Sequence, residues 1–352
     1  MNYRDKRVLV TGGLGFIGSN LVLRLAQLGA RVTVVDSCVL GCGANVRNLD
    51  PPPDNVEVLR ADIAEPERFE EALRDRPIIF NLAGEVSHIH SMLFPERDLE
   101  LNTLAQLHFL EACTRMCPGV RVVYAGTRQV YGAPKYLPVD EAHPVNPVDF
   151  NGVHKYAASM YHLMLSRSGE LDCAVLRLTN VYGPRMALDV PCQGFLATYL
   201  RQTLTGQRLE VYGDGTQLRD PVFVDDVVDA FLRAGTAVAL PSREYNVGGL
   251  AAHSLAEIAG MFSAAAGLEQ PTFREFPPEK KQIDIGSYYT NSARIEGDFA
   301  WRATVGFEDG VRRTLDYYAG RLDQYMDPAT PNPPCKLLHA GAPPKRRRIA
   351  GS

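Results

Sequence analysis

The chain has 352 residues, 45% of them apolar, and a net charge of −4 from 37 Lys plus Arg against 41 Asp plus Glu. That length can bury one large core, or a core plus a lobe, and the mildly acidic balance gives no electrostatic case for a nucleic-acid partner. The start, Met1-Asn2-Tyr3-Arg4-Asp5-Lys6, has no apolar signal segment, and no apolar run reaches membrane-spanning length. A cytoplasmic location with no membrane partner is therefore expected. Seven cysteines are scattered along the chain. No histidine cluster completes the pairs Cys38/Cys42 or Cys113/Cys117, so they read as reduced thiols, and no metal is expected.

The first predicted strand, over 7–10, runs directly into Gly12-Gly13-Leu14-Gly15-Phe16-Ile17-Gly18. A helix pattern follows, with Leu21, Val22, Leu25 and Leu28 on one face. An ordinary strand-to-helix turn would also carry glycine. Here Gly12, Gly15 and Gly18 are spaced for a sharp turn, close backbone approach to a pyrophosphate, and tight helix–strand packing. Phosphates would sit at the helix N-terminus, where free N–H groups favour negative charge. The second strand, over 32–35, ends in Asp36, an acceptor at the distance needed for a ribose 2′-hydroxyl. Asp36 would repel a 2′-phosphate, so NAD is favoured over NADP, with Arg47 the nearest cation that could argue otherwise.

Further strands are predicted over 56–59, 78–82, 120–125 and 174–178. Helices are predicted over 101–113 and 152–166. This alternation implies an α/β fold, a doubly wound parallel sheet with helices on both faces. Pro51-Pro52-Pro53 marks a loop within it. Beyond residue 180 the pattern is less regular. Helices are expected over 194–205, 255–266 and 310–325, strands over 208–212 and 244–247, and a strand entering a helix over 221–234. The expected division is a dinucleotide-binding domain over 1–180, rejoined by segments near 220–250, and a smaller substrate-binding lobe over 181–326. The proline-rich tail over 327–352, with Lys345-Arg346-Arg347-Arg348, reads as disordered.

These motifs recur in order with Asp62-Ile63, Asn81-Leu82-Ala83-Gly84 and Thr127-Arg128-Gln129-Val130-Tyr131-Gly132. Asn180-Val181-Tyr182-Gly183-Pro184-Arg185 and Arg219-Asp220-Pro221-Val222-Phe223-Val224-Asp225-Asp226 follow. From about residue 7 to about 325 the chain resembles the extended short-chain dehydrogenase/reductase family, and within it the NAD-dependent nucleotide-sugar epimerases and dehydratases. The loop from Gly84 to His88 and the stretch 36–49 look most like epimerases acting on UDP-glucose or on CDP-linked deoxyhexoses. The resemblance implies that Asp62 and Ile63 bracket the adenine. Ala83 and Gly84 would line the nicotinamide half. Phe16, Ile17, Leu82 and Asn102 complete the expected cofactor set. Thr127 stands at the catalytic Ser/Thr, and Lys155 at the lysine that holds the nicotinamide ribose. Asn180 and Arg219 would hold a sugar-nucleotide diphosphate, and Tyr212 joins the substrate set. Lys281 and Asp284 resemble a late Arg-x-x-Asp element, with lysine giving a point charge where arginine gives a fork. Arg219 could otherwise form an ion pair with Asp220, and Asp284 could be a cap. Members commonly pair through two helices each, so a C2 homodimer through 101–113 and 152–166 is expected.

One position departs from the family. Its Tyr-x-x-x-Lys motif reads here Asn151-Gly152-Val153-His154-Lys155. A tyrosine beside a lysine cation can ionise and accept a hydroxyl proton, whereas an amide has no ionisation near neutral pH. Glu85, His88, His90 and His154 are the alternative acid–base candidates. A water held by Asn151 and Thr127 is a second solution, and a redox-silent binding protein a third. The expected activity is NAD-dependent epimerisation of a nucleotide sugar at C4. A 4,6-dehydratase is the alternative. It is disfavoured because Arg128-Gln129 stands where dehydratases carry Asp-Glu.

Overall fold

A computed structural model of the chain describes residues 1–39, 41–74, 78–190, 194–277, 281 and 283–326. The tail over 327–352 lies outside the described residues. Seven strands form the central sheet: β1 (Arg7–Thr11), β2 (Arg31–Asp36), β3 (Val56–Arg60), β4 (Ile78–Asn81), β5 (Arg121–Thr127), β6 (Asp172–Leu178) and β7 (Glu244–Val247). Their order is β7-β6-β5-β4-β1-β2-β3, and every neighbouring pair is parallel. The order reverses between β1 and β4, which opens a crevice at the carboxyl ends of those two strands.

Period-two alternation covers both faces. Val8 and Val10 of β1 join one apolar cluster and Leu9 the other. The first face is covered by α1 (Phe16–Gln27), through Leu21, Val22 and Leu25, and by a late helix, Val224–Thr236, through Val227, Ala230 and Phe231. The second is covered by α2 (Ala105–Met116), through Phe109, Leu110 and Cys113. On the same sheet, α3 (Phe150–Arg167) packs Ala158 and Leu163 against Tyr124 and Val175. Residues beyond 180 build a separate apolar cluster around Tyr182, Tyr199, Phe223, Phe262 and Phe307. Three two-stranded pairs frame it: Val181–Tyr182 with Val222–Phe223, Leu218–Arg219 with His253–Ser254, and Glu210–Tyr212 with Thr272–Arg274. Among the described residues no helix is long and apolar enough to cross a membrane.

Two predicted helices are corrected. The one over 101–113 begins as a π-helical turn, Glu100–Leu104, before α2. That turn presents Asn102 to the loop after β4, whose Glu85 N–H it accepts at 3.0 Å. The one over 310–325 runs only over Phe307–Tyr318, because Gly320 adopts φ +74° and ends it. A separate short turn, Leu322–Gln324, follows.

The glycine turn requires close contact between backbones. A Cβ placed on Gly18 would lie 2.2 Å from the Gly12 carbonyl oxygen, an atom that cannot move without shifting β1. Gly18→Ala should therefore lower unfolding stability by about 1–3 kcal/mol and weaken dinucleotide binding. Denaturant melts and NAD titration check both, and a wild-type midpoint would contradict the packing.

Candidate functional site

The loops at the carboxyl ends of β1, β2, β4 and β5 line one cavity of about 580 Å³, which continues to the residues beyond 180. At one end lie Gly12, Gly15, Phe16, Ile17 and Gly18, with Asp36, Asp62 and Ile63. The Asp36 carboxylate accepts the Leu14 N–H at 3.0 Å and the Cys38 N–H at 2.8 Å. Burial raises its carboxyl above the usual range, and those two N–H groups offset part of the rise. Arg47 is engaged elsewhere, in an exposed ion pair with Asp50 at 3.0 Å.

The middle of the cavity is stitched from β1 and β4. Thr11 Oγ1 donates to Asn81 and accepts the N–H groups of Leu82 and Ala83. Gln106 reaches back from α2 to the Ala83 carbonyl at 2.9 Å. Gly84 has φ +149°, and a Cβ there would meet Asn102 Oδ1 at 2.6 Å and Lys155 Nζ at 2.9 Å. Lys155 is buried and has no ion pair among the described residues, and its ammonium lies 5.7 Å from the Tyr124 ring centroid. Burial pushes its pKa down to about 8, against the opposing fields of Asp98 and Glu85.

Thr127 caps the turn after β5, its hydroxyl accepting the Gln129 N–H at 3.2 Å. Asn180, Tyr212, Arg219 and Asp284 line the far end. Arg219 donates to the carbonyls of Leu218 and Gly286 and makes no ion pair with Asp220. Asp220 instead takes the Thr179 hydroxyl and the Thr290 N–H. Arg128 is also buried in the cavity wall, its guanidinium carbon 4.8 Å from the Tyr288 ring centroid, with no ion pair among the described residues. Burial and the nearby Arg128 push the Arg219 pKa down to about 10. Two adjacent cations without carboxylate partners make this end fit for an anion. Asp284 accepts from Gln217 at 2.9 Å and also receives the Gly286 N–H, as in a local turn.

The profile of the NAD dependent epimerase/dehydratase family matches residues 8–248. The UDP-glucose 4-epimerase of Mycolicibacterium smegmatis is 32% identical over 317 residues, covering 90% of this chain and 99% of that protein. The chain belongs to the NAD-dependent epimerase/dehydratase family. The structure of Thermus thermophilus UDP-glucose 4-epimerase in complex with NAD is similar at 31% identity and a TM-score of 0.79, covering 90% of this chain and 99% of that one. That of Thermotoga maritima UDP-glucose 4-epimerase with UDP-glucose is similar at 28% identity and a TM-score of 0.81, with the same coverage. NAD is the cofactor of that family, and the sheet of this member is of the Rossmann type. Its cavity suits that cofactor. The glycine turn leaves room at a helix N-terminus, Asp36 offers carboxylate oxygens to a diol, and Lys155 supplies a buried cation.

Several expected site residues are not brought to the cavity of this family member. Lys281 is exposed and absent from the lining, whereas Ile283 and Asp284 belong to it. His154 turns its Nδ1 to Asp98 at 2.7 Å, and neither residue belongs to the cavity lining. His90 is 2% exposed and directed at Glu85. Asn102 supports the Gly84 loop from behind. Asn151 does reach the wall, but its amide nitrogen donates to Asp98 at 2.9 Å and to the Glu85 carbonyl at 3.0 Å. Those donors are therefore not available to orient a substrate hydroxyl. Glu85 and His88 line the cavity. Asp98, Asp149 and Gln129 escaped the sequence reading as partners. Only Asp149 carried a signal there, as an acid three residues before Gly152 at a helix start.

Lys155→Met should weaken NAD binding at least tenfold and abolish turnover. In the wild type, NAD affinity should fall as pH rises through about 8, because the ammonium is present below that value and lost above it. Calorimetric titration checks this, with the Lys155→Met affinity expected to be flat over the same range.

Proposed function

We propose that the chain interconverts the C4 epimers of a nucleotide-linked hexose in the cytoplasm. The carrying observation is that Asp36, Thr127 and Lys155 line one cavity whose far end presents Arg128 and Arg219 without carboxylate partners. NAD, when bound, supplies the hydride acceptor and returns the hydride, so no net redox change results. Gly12, Gly15 and Gly18 would seat its pyrophosphate, Asp36 its adenosine ribose, Asp62 and Ile63 its adenine, and Lys155 its nicotinamide ribose. Thr127 would hydrogen-bond the reacting sugar hydroxyl. Arg219 and Arg128, with Asn180, would neutralise the substrate diphosphate. UDP-glucose is the first substrate to try, since the named relatives are UDP-glucose 4-epimerases. By resemblance, the family's dehydratases commonly carry an Asp-Glu pair directly after the residue at the Thr127 position, where Arg128 and Gln129 stand here. The described cysteines are free, in keeping with a reducing compartment.

Purified protein incubated with UDP-, CDP-, GDP- and dTDP-hexoses should convert at least one to its C4 epimer, read by NMR of the sugar. Accumulation of a keto-sugar with loss of water would favour dehydration. No change in any of them would leave a binding protein.

Pairing of two copies is part of the proposal. Leu99, Leu104, Leu107 and Tyr161, together with Glu96, Glu100 and Thr103, line a groove where α3 meets α2 and the residues leading into it, and Met164 lies exposed along α3. A four-helix C2 interface would cover them. Sedimentation should give a dimer at micromolar concentration, and Leu104→Glu a monomer. A wild-type monomer would refute the pairing.

A further inference from the structure

Asn151 leaves the reaction without its usual proton carrier, and the geometry sorts the remaining candidates. His154 and His90 are turned away to Asp98 and Glu85. Glu85 reaches the cavity, yet one of its oxygens accepts from His90 and the other faces Arg97 at 3.9 Å. His88 differs from all three. Its ring lines the cavity with its side chain 33% exposed. Its Nδ1 is bonded to Asp149 Oδ2, and its Nε2 faces the amide nitrogen of Gln129. Gln129 in turn donates its backbone N–H to Thr127 Oγ1 at 3.2 Å. A buried carboxylate thus holds the imidazole, and the imidazole touches the side chain of Gln129, the residue whose backbone N–H meets the Thr127 hydroxyl.

We propose that His88 takes and returns the proton of the reacting sugar hydroxyl, and that Asp149 is the positioning residue that fixes its tautomer. The pair stands in for the missing tyrosine, and the assignment rests on the epimerase reading above. Asp149 is 5% exposed. Burial pushes its carboxyl up, but the hydrogen bonds from His88 and the Gly152 N–H, with the nearby Arg128, outweigh it, and the carboxyl is held below its usual range. An ionised Asp149 keeps the proton on Nδ1 and makes Nε2 the acceptor, a position that the Gln129 amide nitrogen holds in the resting protein. The Gln129 amide marks the place of an entering donor O–H. On oxidation the sugar O–H bond breaks toward Nε2 as the C–O bond becomes C=O. NAD would supply the acceptor for the hydrogen on carbon and its electron pair. The return step delivers hydrogen and electron pair to the opposite face, and the imidazolium restores the O–H bond. Asp149 stays ionised throughout and stabilises the imidazolium, so protons and electrons balance over the cycle.

Asp149 also caps α3, accepting the Gly152 N–H at 2.7 Å. Serine caps about as well as aspartate, so Asp149→Ser keeps the cap and removes the carboxylate. Single-turnover NADH absorbance should show His88→Gln slowed by roughly 10²–10⁴-fold, with nucleotide-sugar affinity within a few-fold of wild type. Asp149→Ser should be slowed at least tenfold at an unchanged melting temperature, and should add no further loss in the His88→Gln background. Nitrogen-15 NMR of the resting protein should find His88 protonated at Nδ1, with that tautomer preference lost in Asp149→Ser. Additive losses, a wild-type rate in His88→Gln, or an Nε2–H tautomer in the wild type would overturn the assignment. A protein inert toward every nucleotide sugar would instead sink the epimerase reading, and the proton carrier with it, whatever the tautomer.

Discussion

The site depends on one buried ammonium. Lys155 carries its charge inside the protein with no carboxylate in ion-pair reach among the described residues. Burial of this kind is costly unless a ligand or a nearby field offsets it. Asp98 and Glu85 supply the field, and each is held in place by a histidine: Asp98 by His154, and Glu85 by His90. The lysine therefore stays available to the cavity. Gly84 leaves the space it needs, since any side chain there would press on the ammonium.

In that setting Asn151 has a structural task. Its amide ties Asp98, on the short helix Pro95–Leu99, to the Glu85 carbonyl in the loop after β4. The loop that carries Glu85 and His88 is thereby pinned to α3, the helix that carries Lys155. In the proposed reaction, redox chemistry and proton transfer fall to different walls of one cavity, with Lys155 on the cofactor side and the β5 turn with Thr127 and Gln129 on the sugar side.

Much of this was legible in the chain. Strand–helix alternation, the glycine turn and Asp36 identify a doubly wound sheet because they depend on local patterning and on residues close in sequence. The partners of the candidate acid–base residues were not legible. Asp98 meets His154 across 56 positions, and Asp149 meets His88 across 61. Proximity of that kind is created by packing alone. His154 looked suitable because it lies one turn from Asn151, and it does share that face, but the face points to Asp98 and away from the cavity. The helix expected through residue 325 failed for a local reason, a glycine at 320 in the left-handed region.

The central claim is that one cavity oxidises and re-reduces the same carbon without exchanging its hydrogen with water. A UDP-hexose carrying deuterium at C4 tests this most directly, with the product analysed by mass spectrometry and NMR. Deuterium should be found at C4 of the epimer with none released to solvent and no free NADH accumulating. Washout of the label into water would contradict the account, since it would mean that the carbon is inverted by proton abstraction.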